Sequence, residues 1–163
     1  MKKLLVSFVV GVTMLSISCQ AQPSPKATAQ GSDVSINYSQ PSKKGREIFG
    51  KLVPFSAVWR AGANEATEIT FAKDTKFGGQ AIKAGTYSFF VSPTATEWTI
   101  ILNSELKQWG SFGYEKIKAK DLLKVTVPVK KLDTVVEKLT YRFGDKNALI
   151  IEWDQTQVTI PVG

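Results

Sequence analysis

The sequence predicts an all-β fold: an antiparallel β-sandwich of about 8–9 strands, jelly-roll or immunoglobulin-like, with little helix. Three observations predict it. Apolar residues recur with period two along most of the chain. Turn-forming residues interrupt these runs every ~8–12 positions. No stretch of useful length carries the 3.6-residue period of an amphipathic helix.

Val34, Ile36 and Tyr38 alternate with Ser35 and Asn37, and Thr67, Ile69 and Phe71 with Glu68 and Thr70. Tyr87-Ser88-Phe89-Phe90-Val91 and Trp98-Thr99-Ile100-Ile101-Leu102 are nearly apolar throughout and read as central strands covered on both faces. Leu123, Val125, Val127 and Val129 alternate again. So do Leu139, Tyr141 and Phe143, then Leu149, Ile151 and Trp153, then Val158, Ile160 and Val162. Each pattern offers one face to a core and one to water. Gly78-Gly79 marks a two-residue hairpin, whose turn needs positive φ. Ala84-Gly85, Pro93-Thr94-Ala95-Thr96, Gly144-Asp145-Lys146-Asn147 and Asp154-Gln155 mark further turns. Residues 130–138 read as a crossover loop.

Two stretches do not read as strands. Residues 40–63 hold Pro41, Gly45, Gly50, Pro54 and Gly62 among scattered apolar residues, and residues 106–122 hold Gly110 and Gly113 among Trp109, Phe112 and Tyr114. Loops of this length in a compact domain are often functional.

The N-terminus has the layout of an export signal. Lys2 and Lys3 precede an uncharged apolar run from Leu4 to Leu15, shorter than the ~20 residues a membrane-spanning helix requires. Two cleavage sites compete. Ser16-Ile17-Ser18-Cys19 resembles a lipobox, with cleavage before Cys19 and acylation of its sulfur. The other site follows Ala21, with Cys19 and Ala21 as the small residues. Residues 1–19 are accordingly assigned to a signal peptide, of lipoprotein type where cleavage falls before Cys19. Residues 20–31, rich in Ala, Gln, Pro and Ser, are assigned to a flexible tether, and residues 32–163 to one β-sandwich domain.

The formal charge is +7, and losing Lys2 and Lys3 with the leader lowers it by two. The lysines are scattered among acids rather than gathered in a stripe, which argues against nucleic acid as a partner. Cys19 is the single cysteine, so no intrachain disulfide can form. The chain has no histidine, which excludes Ser-His-Asp and Cys-His nucleophile systems and histidine-based metal sites. No phosphate-binding loop opens a helix, and no cofactor or metal site is expected. Paired carboxylates, as in glycosidases, stay conceivable, but spacing selects no pair.

Two constellations carry chemistry. Trp59-Arg60-Ala61-Gly62-Ala63-Asn64-Glu65 ends the first long loop. Arg60 offers a planar fork to a carboxylate or phosphate, and Trp59 an apolar face. The competing reading is an Arg60–Glu65 ion pair that pins the loop while Trp59 fills the core. Asn103, Gln108, Trp109, Phe112 and Tyr114 interleave aromatics with amides, which suits stacking on sugars. The competing reading is that these rings cap one end of the core.

The segments Tyr38-Ser39-Gln40-Pro41-Ser42-Lys43-Lys44-Gly45-Arg46-Glu47-Ile48-Phe49-Gly50-Lys51-Leu52-Val53-Pro54, Trp59 to Thr67, Ala84-Gly85-Thr86-Tyr87-Ser88-Phe89-Phe90, Trp98 to Asn103 and Gln108-Trp109-Gly110 resemble, in this order, the signatures of the domain of unknown function 2911 family. The resemblance spans nearly the whole mature chain. It implies an exported protein of diderm bacteria, and it implies that Arg46, Trp59, Arg60, Asn64 and Glu65 form one cluster. It implies no reaction. The expectation is an exported cell-envelope protein, periplasmic or anchored through lipid on Cys19, acting as a non-catalytic binding or assembly module. Its partner would be a small polar or glycan ligand, or an envelope protein. The candidate ligand-binding residues are Arg46, Trp59, Arg60, Asn64, Glu65, Trp109 and Tyr114. The alternatives are a carboxylate-dependent hydrolase acting on glycans and a purely structural envelope lipoprotein.

Overall fold

The computed structural model describes residues 23–163. The expected signal, Cys19 and both cleavage sites lie outside the described residues. Nine strands dominate: β1 (Lys26–Gln30), β2 (Val34–Ser39), β3 (Thr67–Phe71), β4 (Thr75–Phe77), β5 (Gln80–Ile82), β6 (Gly85–Pro93), β7 (Glu97–Asn103), β8 (Asp121–Phe143) and β9 (Leu149–Ile160). A single helical turn, α1 (Tyr114–Ile117), interrupts them, with short 3-10 turns at Lys118–Lys120 and Asp145–Asn147. Seven strands form one antiparallel sheet in the order β1-β2-β3-β6-β7-β8-β9, and β4 and β5 form a separate hairpin. The predicted all-β class is therefore observed.

The second layer of the sandwich comes from one long hairpin. The first part of β8 pairs with β7, whereas its last part pairs only with β9. The β8–β9 register shifts on both sides of Val136, and such bulges bend a strand pair. The far half of the hairpin crosses back over β1 and β2. Leu139 donates its N–H to Pro41 O at 3.0 Å, and Lys43 donates its N–H to Glu137 O at 2.7 Å. Leu139, Tyr141, Leu149, Ile151 and Trp153 then join Ile36, Tyr38, Ile69 and Phe89 in one core.

The two central strands behave as their sequences predict. Phe89, Val91, Ile100 and Leu102 face that main core. Phe90 and Ile101 face the other way and are covered by Ala66, Tyr114, Val58 and Ile117. The β4–β5 turn takes positive φ at both glycines, 58° at Gly78 and 83° at Gly79, as a type I′ hairpin requires. A Cβ on Gly78 would also stand 2.4 Å from Val125.

Three expectations need correction. The stretch read as a tether contains β1, whose five residues pair with β2. A backbone ladder does not require large side chains, and Ala27 and Ala29 stand opposite Tyr38 and Ile36, where small residues leave room for large ones. The crossover loop at residues 130–138 is instead part of β8, its alternation obscured by the bulges. Asp154-Gln155 does not end a strand: Asp154, at φ 55°, is a kink inside β9 opposite Val136.

Replacing Gly78 with Ala should destabilise the fold by about 2 kcal/mol or more, because both the backbone conformation and the Val125 contact oppose a Cβ. Urea denaturation checks this, and Gly79→Ala, with no atom within 4 Å of its Cβ, should cost less.

Candidate functional site

The loop that joins the irregular residues 40–63 to β3 is held by a small set of backbone contacts. Ala61 and Asn64 adopt left-handed backbone, φ 55° and 58°, a conformation that costs roughly 1–3 kcal/mol in residues with a Cβ unless the surroundings impose it. Here they do. Tyr141 Oη donates to Ala61 O at 2.6 Å, and Thr67 Oγ1 donates to the same oxygen at 2.9 Å. Trp59 Nε1 donates to Gly62 O at 3.1 Å, and Ala63 donates its N–H to Ser39 O at 3.2 Å. Asn64 Nδ2 reaches Ser24 O at 3.2 Å. Gly62 packs closely where it stands, since a Cβ would lie 3.0 Å from Thr67 Oγ1 and 3.1 Å from Ser39 O.

Trp59 enters an aromatic cluster. It stacks on Trp153 with centroids 6.0 Å apart and planes inclined by 20°. Trp98 meets it edge-on at 6.2 Å and Phe49 at 6.1 Å. Offset and edge-on pairs of this kind add to the burial of the rings. Trp59 thus fills the core, as one of the two sequence readings held, and still presents part of its edge to a cavity.

That cavity, of about 190 Å³, lies between Arg46, Arg60, Trp59 and Trp153, with Leu52 and Val53 on its wall and Gly62 and Ala63 beneath. Arg46 donates from Nε to Lys43 O at 2.9 Å and from Nη2 to Ser42 O at 2.6 Å. Arg60 is half-buried, and its Nε is buried without a hydrogen-bond partner. Neither arginine joins an ion pair among the described residues, whereas Arg142 is paired to Glu152 at 2.8 Å. Burial pulls the Arg60 pKa below its ordinary value. An arginine nevertheless stays charged at neutral pH. The result is a cationic cavity with a tryptophan wall and no protein counter-charge.

The remaining candidates go elsewhere. Glu65 does not pair with Arg60. It accepts from Lys26 Nζ at 2.6 Å, and that hydrogen bond, chiefly, holds its carboxyl below the usual range. It lines a different groove with Lys26, Thr28, Asn37, Glu68 and Lys107. The predicted five-residue cluster therefore divides. Arg46, Trp59 and Arg60 share one cavity, Glu65 faces the other side, and Asn64 braces the loop between them. Tyr114 is a core residue: its ring meets Phe90 at 5.3 Å and its hydroxyl donates to Asp121 Oδ2 at 2.6 Å. Burial, and then this carboxylate, raise its pKa. Asn103 is buried and spends its amide on Ile117 O and Asp121 Oδ1. Trp109 and Phe112 point to solvent, 66% and 86% exposed.

Reasoning from sequence missed Trp153, Lys26 and Lys107. Trp153 had the signature of an ordinary strand core residue, and the two lysines carried no signal that set them apart.

Glu65, Asp74 and Glu152 shift downward, through hydrogen bonds to Lys26, Lys83 and Arg142 respectively, the direction opposite to that of a general acid. No group of three or more Cys, Asp or Glu able to hold a metal ion occurs among the described residues.

An antiparallel β-sandwich with an irregular β2–β3 connection that carries Arg46, Trp59 and Arg60 defines the class of protein. The chain belongs to the family described as "Protein of unknown function (DUF2911)", whose model matches residues 21–162. No curated protein matches the chain. No solved structure matches it either.

Tyr141→Phe should cost about 1–2 kcal/mol, since the buried Ala61 carbonyl keeps only Thr67 as a side-chain donor; equilibrium denaturation measures it. Alkaline pH should also unfold the protein. Burial raises the Tyr141 pKa well above its ordinary value, and Tyr114 is raised as well. The unfolded chain releases both protons near pH ~10, so their contribution to stability is complete below that pH and lost as pH rises beyond it. Tyrosinate absorbance from these two residues should appear only together with loss of the folded circular-dichroism signal.

Proposed function

We propose that the protein is an exported cell-envelope module that binds a small anionic ligand in the Arg46–Arg60 cavity without transforming it. The observation that carries this reading is Arg60. Arg60 lines the cavity half-buried and joins no ion pair among the described residues, and a carboxylate or other oxyanion would meet its guanidinium in the planar geometry that group prefers. Arg46 adds a second positive charge on the rim. The indole edge of Trp59 and the side chains of Leu52 and Val53 offer apolar contact to the body of the ligand. A cavity of about 190 Å³ suits a small carboxylic acid, or the acidic end of a larger molecule such as an acidic glycan. Export rests on the N-terminal layout, with Lys2 and Lys3 before an apolar run and Cys19 placed for lipidation.

Thermal-shift measurements against small carboxylates, uronic acids, phosphate and sulfate test the ligand. Stabilisation should follow ligand concentration and disappear in Arg60→Met. The same variant should melt at or above the wild-type temperature without ligand, because it removes a half-buried charge that joins no ion pair among the described residues. Anion stabilisation that survives in Arg60→Met would remove this cavity from consideration. Intact mass of the mature protein tests the anchor: a diacylglyceryl adduct on Cys19 supports it, and an N-terminal Gln22 excludes it.

A further inference from the structure

On the opposite side of the same loop lies a groove of about 470 Å³, more than twice the volume of the arginine cavity. It runs over the outer face of the sheet at its β1 end. The strand register sets its floor: Thr28 pairs with Asn37, and Asn37 with Glu68, so three strands contribute one row of polar side chains. Lys26 and Glu65 close one part of it, and Lys107 another.

The chemistry of this groove differs from that of the arginine cavity. Its two lysines and two glutamates cancel in charge, so its field selects neither anion nor cation. It offers hydrogen-bonding groups of both kinds. Thr28 Oγ1 donates to Asn37 Oδ1 at 2.7 Å, which leaves the Asn37 amide donors without a protein partner among the described residues. Glu68 Oε1 accepts from the Lys107 N–H at 3.1 Å, while its other oxygen has no protein donor among the described residues. Ser39 also lines the groove, and its Oγ is buried with no partner. A ligand rich in hydroxyls, each both donor and acceptor, complements such a row. An ion does not.

An aromatic platform stands at the rim. Ala66 donates its N–H to Gln108 O at 2.8 Å, Gly110 donates its N–H to Asn64 O at 3.1 Å, and Glu65 bridges Trp109 in antiparallel register. Bridged residues of this kind project their side chains to the same face. The bridge therefore places Trp109, exposed to solvent, beside Glu65, which lines the groove. Left-handed backbone at Lys107 and Gly110, φ 58° and 70°, shapes the turn. The Phe112 ring lies over Gly110, 2.8 Å from where a Cβ would stand. Two large rings are thus exposed on a segment fixed by backbone hydrogen bonds, and Trp109 bridges a residue that lines the charge-balanced groove.

We propose that this face is a binding site for a neutral oligosaccharide, separate from the arginine cavity. Sugar rings stack their C–H faces on Trp109 while their hydroxyls bond to Asn37, Glu68 and Lys26 in the groove. The pattern matches the general design of ligand sites, an apolar contact that carries affinity and a few placed polar groups that orient.

The tryptophans supply the assay. Trp59, Trp98 and Trp153 are buried and Trp109 is exposed, so acrylamide quenching reports mainly on Trp109. Cello- and chito-oligosaccharides should protect the fluorescence from quenching in a saturable way. Trp109→Ala should retain the wild-type melting temperature and lose affinity, measured by calorimetry, at least about tenfold. Asn37→Ala should weaken binding without altering response to acids, and Arg60→Met should leave oligosaccharide binding intact. No protection by any oligosaccharide at millimolar concentration would overturn the proposal. So would binding that persists in Trp109→Ala, protection by polar peptides in place of sugars, or loss of sugar binding in Arg60→Met.

Discussion

The carbonyl oxygen of Ala61 is the point on which the rest of the site depends. Tyr141 from β8 and Thr67 from β3 both donate to it, so one oxygen ties the loop to both layers of the sandwich. Burial keeps the Tyr141 hydroxyl protonated and therefore a donor. With that oxygen held, Ala61 can stay in left-handed backbone. The chain then turns sharply enough to send Arg60 to one side and Glu65 to the other. Without it, nothing local would keep an alanine in that conformation.

A second constraint is the aromatic cluster between the layers. Trp98 comes from β7, Trp153 from β9, and Phe49 and Trp59 from the irregular connection. The irregular connection forms no strand ladder, and its backbone hydrogen bonds are turn contacts and isolated links such as those to Val91, Pro93 and Glu137. The rings give it a hydrophobic anchor instead, and Trp59 also pairs its backbone with Val91, at 2.7 and 2.9 Å. A segment without regular structure is in this way fixed well enough to form a cavity wall.

The two faces of the loop differ because of their surroundings rather than their composition. Lys26 of β1 neutralises Glu65 on one face, and on the other Arg60 joins no ion pair among the described residues. A cavity lined by two arginines and a charge-balanced groove thus lie on either side of the same loop.

The fold class was legible because period-two alternation is a local property. Each strand states which of its residues face inward, whatever it later packs against. The Gly78-Gly79 hairpin and the two-sided burial of β6 and β7 were legible for the same reason. β1 was not, since its ladder with β2 needs no apolar signal, and the unbroken course of β8 and β9 was not, since bulges interrupt the alternation. Within the site, the sequence by itself determined that Arg46, Trp59 and Arg60 are of a kind to recognise an anion. Only the tertiary structure decided which residues meet. Lys26 takes Glu65 across 39 positions, Tyr141 reaches Ala61 across 80, and Tyr114 turns inward while Trp109 stays in water. Such pairings depend on how distant strands approach, and charge pairing and burial are decided by that approach rather than by neighbours along the chain.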